Sequence, residues 1–409
     1  MKPTGERARL LPAALCLLAV LLGAPAPAAD PAPCESYGEP SKVKAAAVES
    51  EAMKALVMAM PGRDGEPLVE DPRLIAAARV LARELQDDLA RQDEIITAAH
   101  ALKVADAYGV YDPTLHVRSL SFASSGDIVS TIRLHYGSDR VPPMTSMGVG
   151  VAPPLSGQPM GIAVVLLADS RALLEPFPRK VPSPSSWTLR GRLVNSTRGL
   201  DPSVVMTTPD GKVKTLPVKN SKGAFAASID FPNPGLYRLE VVAQGGGRAE
   251  MSALMLVQAG DLLLNDEGLF QFDGPEEPPE TESDAEDTVL DMVNQVRQHE
   301  GLGMVLPDPN LAQLARRQAQ DMKDNNYVGH VSPVAGGLAD RAKALGLGGD
   351  ISENVALNSS LVVGMNALLQ RPVHRRAILD PKMKRVGVGV VFDDRNGRRQ
   401  YYIVQEFGD

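Results

Sequence analysis

Two of the six histidines of this 409-residue chain stand in distinctive local company. His330 lies in Gly329-His330-Val331-Ser332-Pro333, and His374 in Arg371-Pro372-Val373-His374-Arg375-Arg376. Between them runs Ile351-Ser352-Glu353-Asn354-Val355-Ala356. Imidazole and carboxylate groups hold divalent metals and move protons, so these three segments are where chemistry is expected. The opposite expectation is equally physical. His330 and Glu353 can simply hydrogen-bond to each other and order their loops, because buried polar groups need partners.

The surrounding elements follow from pattern. Val289, Met292, Val293 and Val296 recur at helical spacing behind Ser283 and Glu286, which are placed as a capping box, and Gly301 ends the helix. Leu311, Leu314, Ala315, Ala319 and Met322 make a second apolar face. The closing strands are expected at 386–391 and 401–405, giving an α+β domain over 287–409.

Those residues resemble the CAP superfamily, the cysteine-rich secretory, antigen 5 and pathogenesis-related group (SCP domain), in its bacterial secreted form. The resemblance rests on nine landmarks in order. They are Val293-Asn294-x-x-Arg297, Gly301-Leu302, Asp308-Pro309-x-Leu311, His330-x-Ser332-Pro333, Asp340-Arg341 and Glu353-Asn354-Val355-Ala356, then His374-Arg375-x-x-Ile378-Leu379-Asp380-Pro381, Val386-Gly387-Val388-Gly389 and Gln405-x-Phe407. It implies an α-β-α sandwich with a central cleft lined by two histidines and two acids. Carried over by position, His330 and His374 are the histidines and Glu353 is one acid, with Asn354 beside it. In some members the histidines hold a divalent metal such as zinc, with the carboxylate as a ligand or as a general base on bound water. The second acid is missing, because Arg371 occupies its expected position. A cation there either repels a metal or pairs with Glu353.

The rest of the chain divides by composition. Residues 1–29 have the basic start, apolar run and small-residue end of a secretory signal peptide, which implies a secreted or periplasmic protein. Cys16 leaves with that segment, and Cys34 is then alone, so no intrachain disulfide is expected. Residues 30–41 form a spacer, 42–175 a helix-rich domain ending in strand, and 176–186 a proline-rich linker. Residues 187–260 alternate with period two and predict an immunoglobulin-like β-sandwich, with Trp187 in its core. An acidic linker spans 261–286; ten acids and no Lys or Arg fall within 266–287, which accounts for the net charge of −8. The acidic balance and scarce aromatics (4%) argue against nucleic-acid binding.

An internal repeat links the ends of the chain. Asp71-Pro72-Arg73-Leu74, Ala78-Arg79 and Ala82 recur 237 residues later as Asp308-Pro309-Asn310-Leu311, Ala315-Arg316 and Ala319. Gly148-Val149-Gly150-Val151 recurs as Gly387-Val388-Gly389-Val390. The domain at 42–175 is therefore expected to be a degenerate CAP-like copy. Matching columns set Asp93 opposite His330, His116 opposite Glu353 and His135 opposite His374.

Three functions follow as expectations. The leading one is a non-enzymatic binding module that takes a small apolar ligand or an envelope component in the cleft. The second is a metal-dependent, peptidase-like hydrolase with His330 and His374 on zinc and Glu353 as base. The third is a structural envelope protein that engages a protein partner through the β-module.

Overall fold

The computed structural model describes residues 32–138, 141, 144–154, 160–221, 223–245, 248–260, 270–272, 277–395 and 398–409. The expected signal peptide and residues 261–269 and 273–276 of the acidic linker lie outside the described residues.

The first region comprises α1 (Ala47–Ala59), β1 (Val69–Glu70), α2 (Pro72–Asp87), α3 (Ala98–Ala107), β2 (Leu115–Phe122), α4 (Ser125–Ser138), β3 (Ser146–Ala152) and β4 (Gly161–Ala168). Its sheet order is β1-β3-β4-β2. Strand alternation splits its core in two. Val149, Val165 and Leu167 pack with α1 and α4 on one face, while Val164, Leu166 and Ala168 pack with α2 and α3 on the other.

The middle region is two sheets sharing one core. Its strands are β5 (Ala172–Leu174), β6 (Lys180–Val181), β7 (Ser185–Leu193), β8 (Asp201–Thr207), β9 (Val213–Leu216), β10 (Val218–Ser221), β11 (Ala224–Phe231), β12 (Gly235–Gly245) and β13 (Arg248–Ala259). The sheets run β9-β8-β12-β13-β6 and β10-β11-β7-β5. Residues 176–186 are built into this fold. Phe177 and Pro178 pair with Tyr37 and Ser36, Val181 pairs with Ala259, and Phe177 and Val181 are core. Proline was tolerated there because those strands are edge pieces two residues long. Trp187 is 40% exposed on β7. Trp187 shares the strand phase of the core residues Leu189 and Leu193 but stays exposed near the start of the strand.

The last region comprises α5 (Glu282–His299), β14 (Leu306–Pro307), α6 (Pro309–Asp324), α7 (Leu338–Ala344), β15 (Ile351–Asn358), α8 (Leu361–Leu369), α9 (Pro372–Leu379), β16 (Arg385–Arg395) and β17 (Arg398–Gly408). Helix α5 starts earlier than Ser283 suggested. Thr281 is the N-cap and Asp284 returns the bond, a Thr-x-x-Asp box one turn ahead of the apolar face. Phe270 and Phe272, within the expected linker, pack on this domain's core, and Phe272 exchanges two hydrogen bonds with the Asn366 amide.

The last sheet runs β14-β16-β17-β15, the same arrangement as the first: a short parallel edge, a central hairpin and an antiparallel edge. It is sandwiched between α6 and the group α5, α8 and α9. The domain is thus α+β, with helices on both faces of one sheet.

Local chemistry explains the paired motifs. Asp71 and Asp308 cap α2 and α6, accepting from Arg73 N and from Asn310 N and Leu311 N, with proline at the first helical position. A Cβ on Gly387 would sit 1.9 Å from the Leu311 carbonyl carbon, and one on Gly389 2.3 Å from Arg316 N. On Gly148 and Gly150 the same atom would meet Leu74 and Arg79 backbone at 2.3 and 2.1 Å. These glycines let a helix backbone lie directly on the strand. Glu49 and Glu286 occupy matching positions and grip Arg79 and Arg316, the next partners in the same layer.

Candidate functional site at the open edge of the last sheet

Strand β15 is the outer strand of its sheet, and successive side chains point to opposite faces. Glu353 therefore faces the α6–α7 side and Asn354 the α8–α9 side. This separates two neighbours that the sequence suggested were cleft residues together.

His330 lies in the loop between α6 and α7. The Gln318 amide donates to Gly329 O at 2.7 Å, and Arg341 donates to His330 O at 3.2 Å. Ser332 Oγ accepts from Val334 N and Ala335 N, which turns the chain just after the histidine. His330 Nδ1 then meets Glu353 Oε1 at 2.8 Å. The other oxygen of Glu353 accepts from Arg341 Nη2 at 2.7 Å. The Glu353 side chain is 2% exposed and that of His330 31%, so the bridge has a buried foot and an open tip.

Directly across the strand pair, Glu406 faces Glu353. Its carboxyl is fully buried, 3.6 Å from the second guanidinium nitrogen of Arg341. One arginine thus stands between two buried acids, and like charges directly opposite in a sheet repel. Burial alone would raise Glu353, but its hydrogen bond to His330 and the charges of His330 and Arg341 outweigh burial and hold it below the usual carboxylate range. Burial, and then the Glu353 charge, push Glu406 well above that range. Burial and the facing Glu353 charge thus both favour the protonated form of Glu406.

His374 lies on α9 and is 6% exposed. Its ring is 6.1 Å from that of His330, edge to face. Burial first, then the charges of Arg371 and His330, keep its imidazole well below its ordinary value and hence neutral. Asn354, fully buried, donates to His374 O at 3.2 Å and to Gln405 Oε1 at 3.1 Å. It anchors α9 from behind the cleft.

Arg371 does not pair with Glu353. Its guanidinium points out of the domain, to Met251 Sδ and Pro113 O, each at 3.0 Å. Arg341 supplies the cation for Glu353, and Glu406 supplies a second acid from an unexpected strand. Both fell within quoted landmarks, as the second residue of Asp340-Arg341 and the unassigned position of Gln405-x-Phe407. A charged residue inside a buried strand was the available signal; the register that aims it at Glu353 was not.

The groups that could hold a metal here are two imidazoles. His330 uses Nδ1 on Glu353, an outer carboxylate partner that directs the other ring nitrogen outward. His374 Nδ1 is buried with no hydrogen-bond partner among the described residues. The two rings thus each keep a nitrogen that could serve as a ligand, with Glu353 behind one of them. No group of three His, Cys, Asp or Glu side chains is arranged around one ion among the described residues.

In the first region, His116 is paired with Leu167 across β2 and β4, as Glu353 is paired with Glu406. Its ring lies 6.4 Å from Tyr136, while His135 Nδ1 is 3.4 Å from Arg118 Nη1. The side chain of Asp93, on the short helix Gln92–Ile95, lies outside the described residues.

Residues 290–407 match the CAP family, the cysteine-rich secretory protein family. The C-terminal domain is thus a CAP domain, as its nine landmarks indicated. Two Bacillus subtilis (strain 168) proteins are similar to this part. One, described as "Uncharacterized protein YkwD", is 35% identical over 115 residues, covering 28% of this chain and 45% of that protein. The other, "Uncharacterized membrane protein YlbC", is 35% identical over 127 residues, covering 29% of this chain and 34% of that protein. This chain therefore spans less than half the length of either relative. Among solved structures, an extracellular protein containing an SCP domain from Bacillus anthracis str. Ames is 20% identical with a TM-score of 0.29, covering 55% of this chain and 66% of that one.

Proposed function

We propose that this is an exported binding protein that captures a small apolar ligand, or an apolar part of an envelope component, at the rim of the CAP cleft. The observation that carries this reading is the engagement of Glu353. Both of its oxygens are held, by His330 and Arg341, and its side chain is 2% exposed, so it is poorly placed to activate a water in an open site. The same loop exposes Val328 (49%) and Val334 (77%), apolar surface beside an otherwise polar cluster. Export rests on residues 1–29 and on the extracellular description of the Bacillus anthracis protein. Among the described residues no helix is long and apolar enough to cross a membrane. The first region is, in this reading, a copy of the CAP fold without its cleft chemistry, supported by the shared sheet order, the helix-facing glycines and the Glu49–Arg79 and Glu286–Arg316 pairs. The two-sheet middle region, immunoglobulin-like in its packing of two sheets, docks these copies.

The test is saturable binding of a fluorescent long-chain fatty acid to the full chain, compared with His330→Ala and with chelator present. Binding that survives both supports the proposal. Loss in either condition contradicts it.

The unpartnered Nδ1 of His374 favours a second reading. There His330 and His374 hold a divalent ion, which would supply Lewis-acid chemistry, and Glu353 orients His330. Zinc calorimetry on the full chain checks it. The reading requires tight binding that disappears in the His330→Ala/His374→Ala double variant.

A further inference from the structure

Helix α9 begins badly by itself. Its N-cap is Arg371, which makes no side-chain capping bond, and Pro372 follows at the first helical position. The next backbone donor, Val373 N–H, needs an acceptor, because helix-terminal amides have none within the helix. The acceptor comes from another domain: Glu240 Oε2, on β12 of the middle region, lies 2.7 Å from Val373 N. Glu240 is fully buried on a strand whose other charged residue is the buried Arg238, and buried carboxylates are rare unless they are partnered.

The rest of α9 is held the same way. Arg375, fully buried, donates to Gly211 O at 3.2 Å, and Arg376 donates to Thr215 Oγ1 at 2.9 Å, both partners in the middle region. Arg371 reaches Met251 of that region and Pro113 of the first. His374 sits in the middle of these residues, so four near neighbours of a cleft histidine (Arg371, Val373, Arg375 and Arg376) contact surfaces outside the CAP domain, Arg375 while also holding Glu300 within it at 2.7 Å.

We infer that the middle region is a working part of the cleft, with Glu240 as the positioning residue that caps α9 across the domain boundary and so sets where the His374 ring stands. This rests on the reading that the cleft is the functional site. The cap supplies what the local sequence lacks, and the helix N-terminus favours a negative group there. Any change that shifts the middle region moves one imidazole of the pair while His330, tied to Glu353 and Arg341 within its own domain, stays in place. The cleft would then report on domain docking.

The experiment uses the full chain and two substitutions of similar bulk, Glu240→Gln and Glu240→Met. Glutamine keeps an oxygen that accepts from Val373 N–H; methionine fills the same space without one. Amide hydrogen exchange at Val373 and the NMR signal of the His374 ring are recorded for each at one pH. The inference expects exchange at Val373 to quicken by about ten- to a hundredfold in Glu240→Met, with a displaced His374 signal, and both to remain near wild type in Glu240→Gln. Equal behaviour of the two variants, both slow or both fast, overturns it. Fatty-acid binding is not the readout, so failure here leaves the cleft-binding proposal to its own test.

Discussion

Arg341→Met probes the cluster at its pivot. The Arg341 and Glu353 side chains are 5% and 2% exposed and 2.7 Å apart, and Glu406 shares the same guanidinium. Removing the cation leaves a buried carboxylate compensated only by His330, and breaking such a pair costs about 3–5 kcal/mol. Methionine retains most of the bulk, so little of that loss is cavity formation. Three domains make a single unfolding free energy ill defined. Native-state hydrogen exchange at Val404, Gln405 and Glu406 reads the loss locally, and faster exchange of about a hundred- to a few thousandfold is expected. Adding Glu353→Gln should recover part of it, because the residual buried charge is gone, and the two changes should be non-additive by about 1–3 kcal/mol. The acid response has a definite sign. Glu353 is held below its ordinary value, so its contribution is present above about pH 4.5 and lost as pH falls through its folded value. Arg341→Met should weaken that dependence. A loss under about 1 kcal/mol, or strict additivity with Glu353→Gln, would refute the bridge as drawn.

Further predictions follow from other parts of the molecule. Glu406→Gln mimics the neutral acid and should change stability at pH 7 by no more than about 1 kcal/mol in the same exchange assay; a loss above about 2 kcal/mol would mean that Glu406 is ionised and paired. Gly387→Ala drives a methyl into the α6 backbone and should destabilise the CAP domain by about 1–3 kcal/mol or more, seen as faster exchange along β16. Burial pushes Glu240 up to about 7, against the charges of Arg371 and Arg376 and the Val373 N–H. An acid so raised gives stability that is full below about pH 4.5 and is lost as pH rises to about 7, some ~3 kcal/mol in all. Glu240→Gln should flatten that slope in urea unfolding followed by Trp187, the chain's one tryptophan, which reports the middle region alone.

The CAP domain was legible because its landmarks are backbone demands as much as chemistry. Asp308-Pro309 is a cap and a first helical turn, and Gly387 and Gly389 are close approaches. Asn294 and Arg297 satisfy carbonyls of the loop at Gly303 and Val305 and of the end of α9 at Ile378 and Asp380. Such requirements recur at fixed sequence positions, so spacing reveals them. The charge network was legible only in part. Arg341 reaches Glu353 through a helix placed by tertiary packing, and Glu406 reaches it through strand register; neither distance has a sequence counterpart. Arg371 was misplaced for the same reason. Its position on α9 is local, but its side chain is directed by Pro113 and Met251, 258 and 120 residues away in sequence. Trp187 has the residue type and the strand phase of a core position, yet it stays 40% exposed near the start of its strand, where tertiary packing does not cover it.

Fatty-acid binding to the full chain carrying Val328→Asp/Val334→Asp, set beside wild type, tests the cleft-rim reading most directly. Both valines are exposed, so the fold should tolerate the change, and two charges at the rim should weaken binding by about tenfold or more. Binding undiminished in the double variant would contradict the claim that this loop receives the ligand.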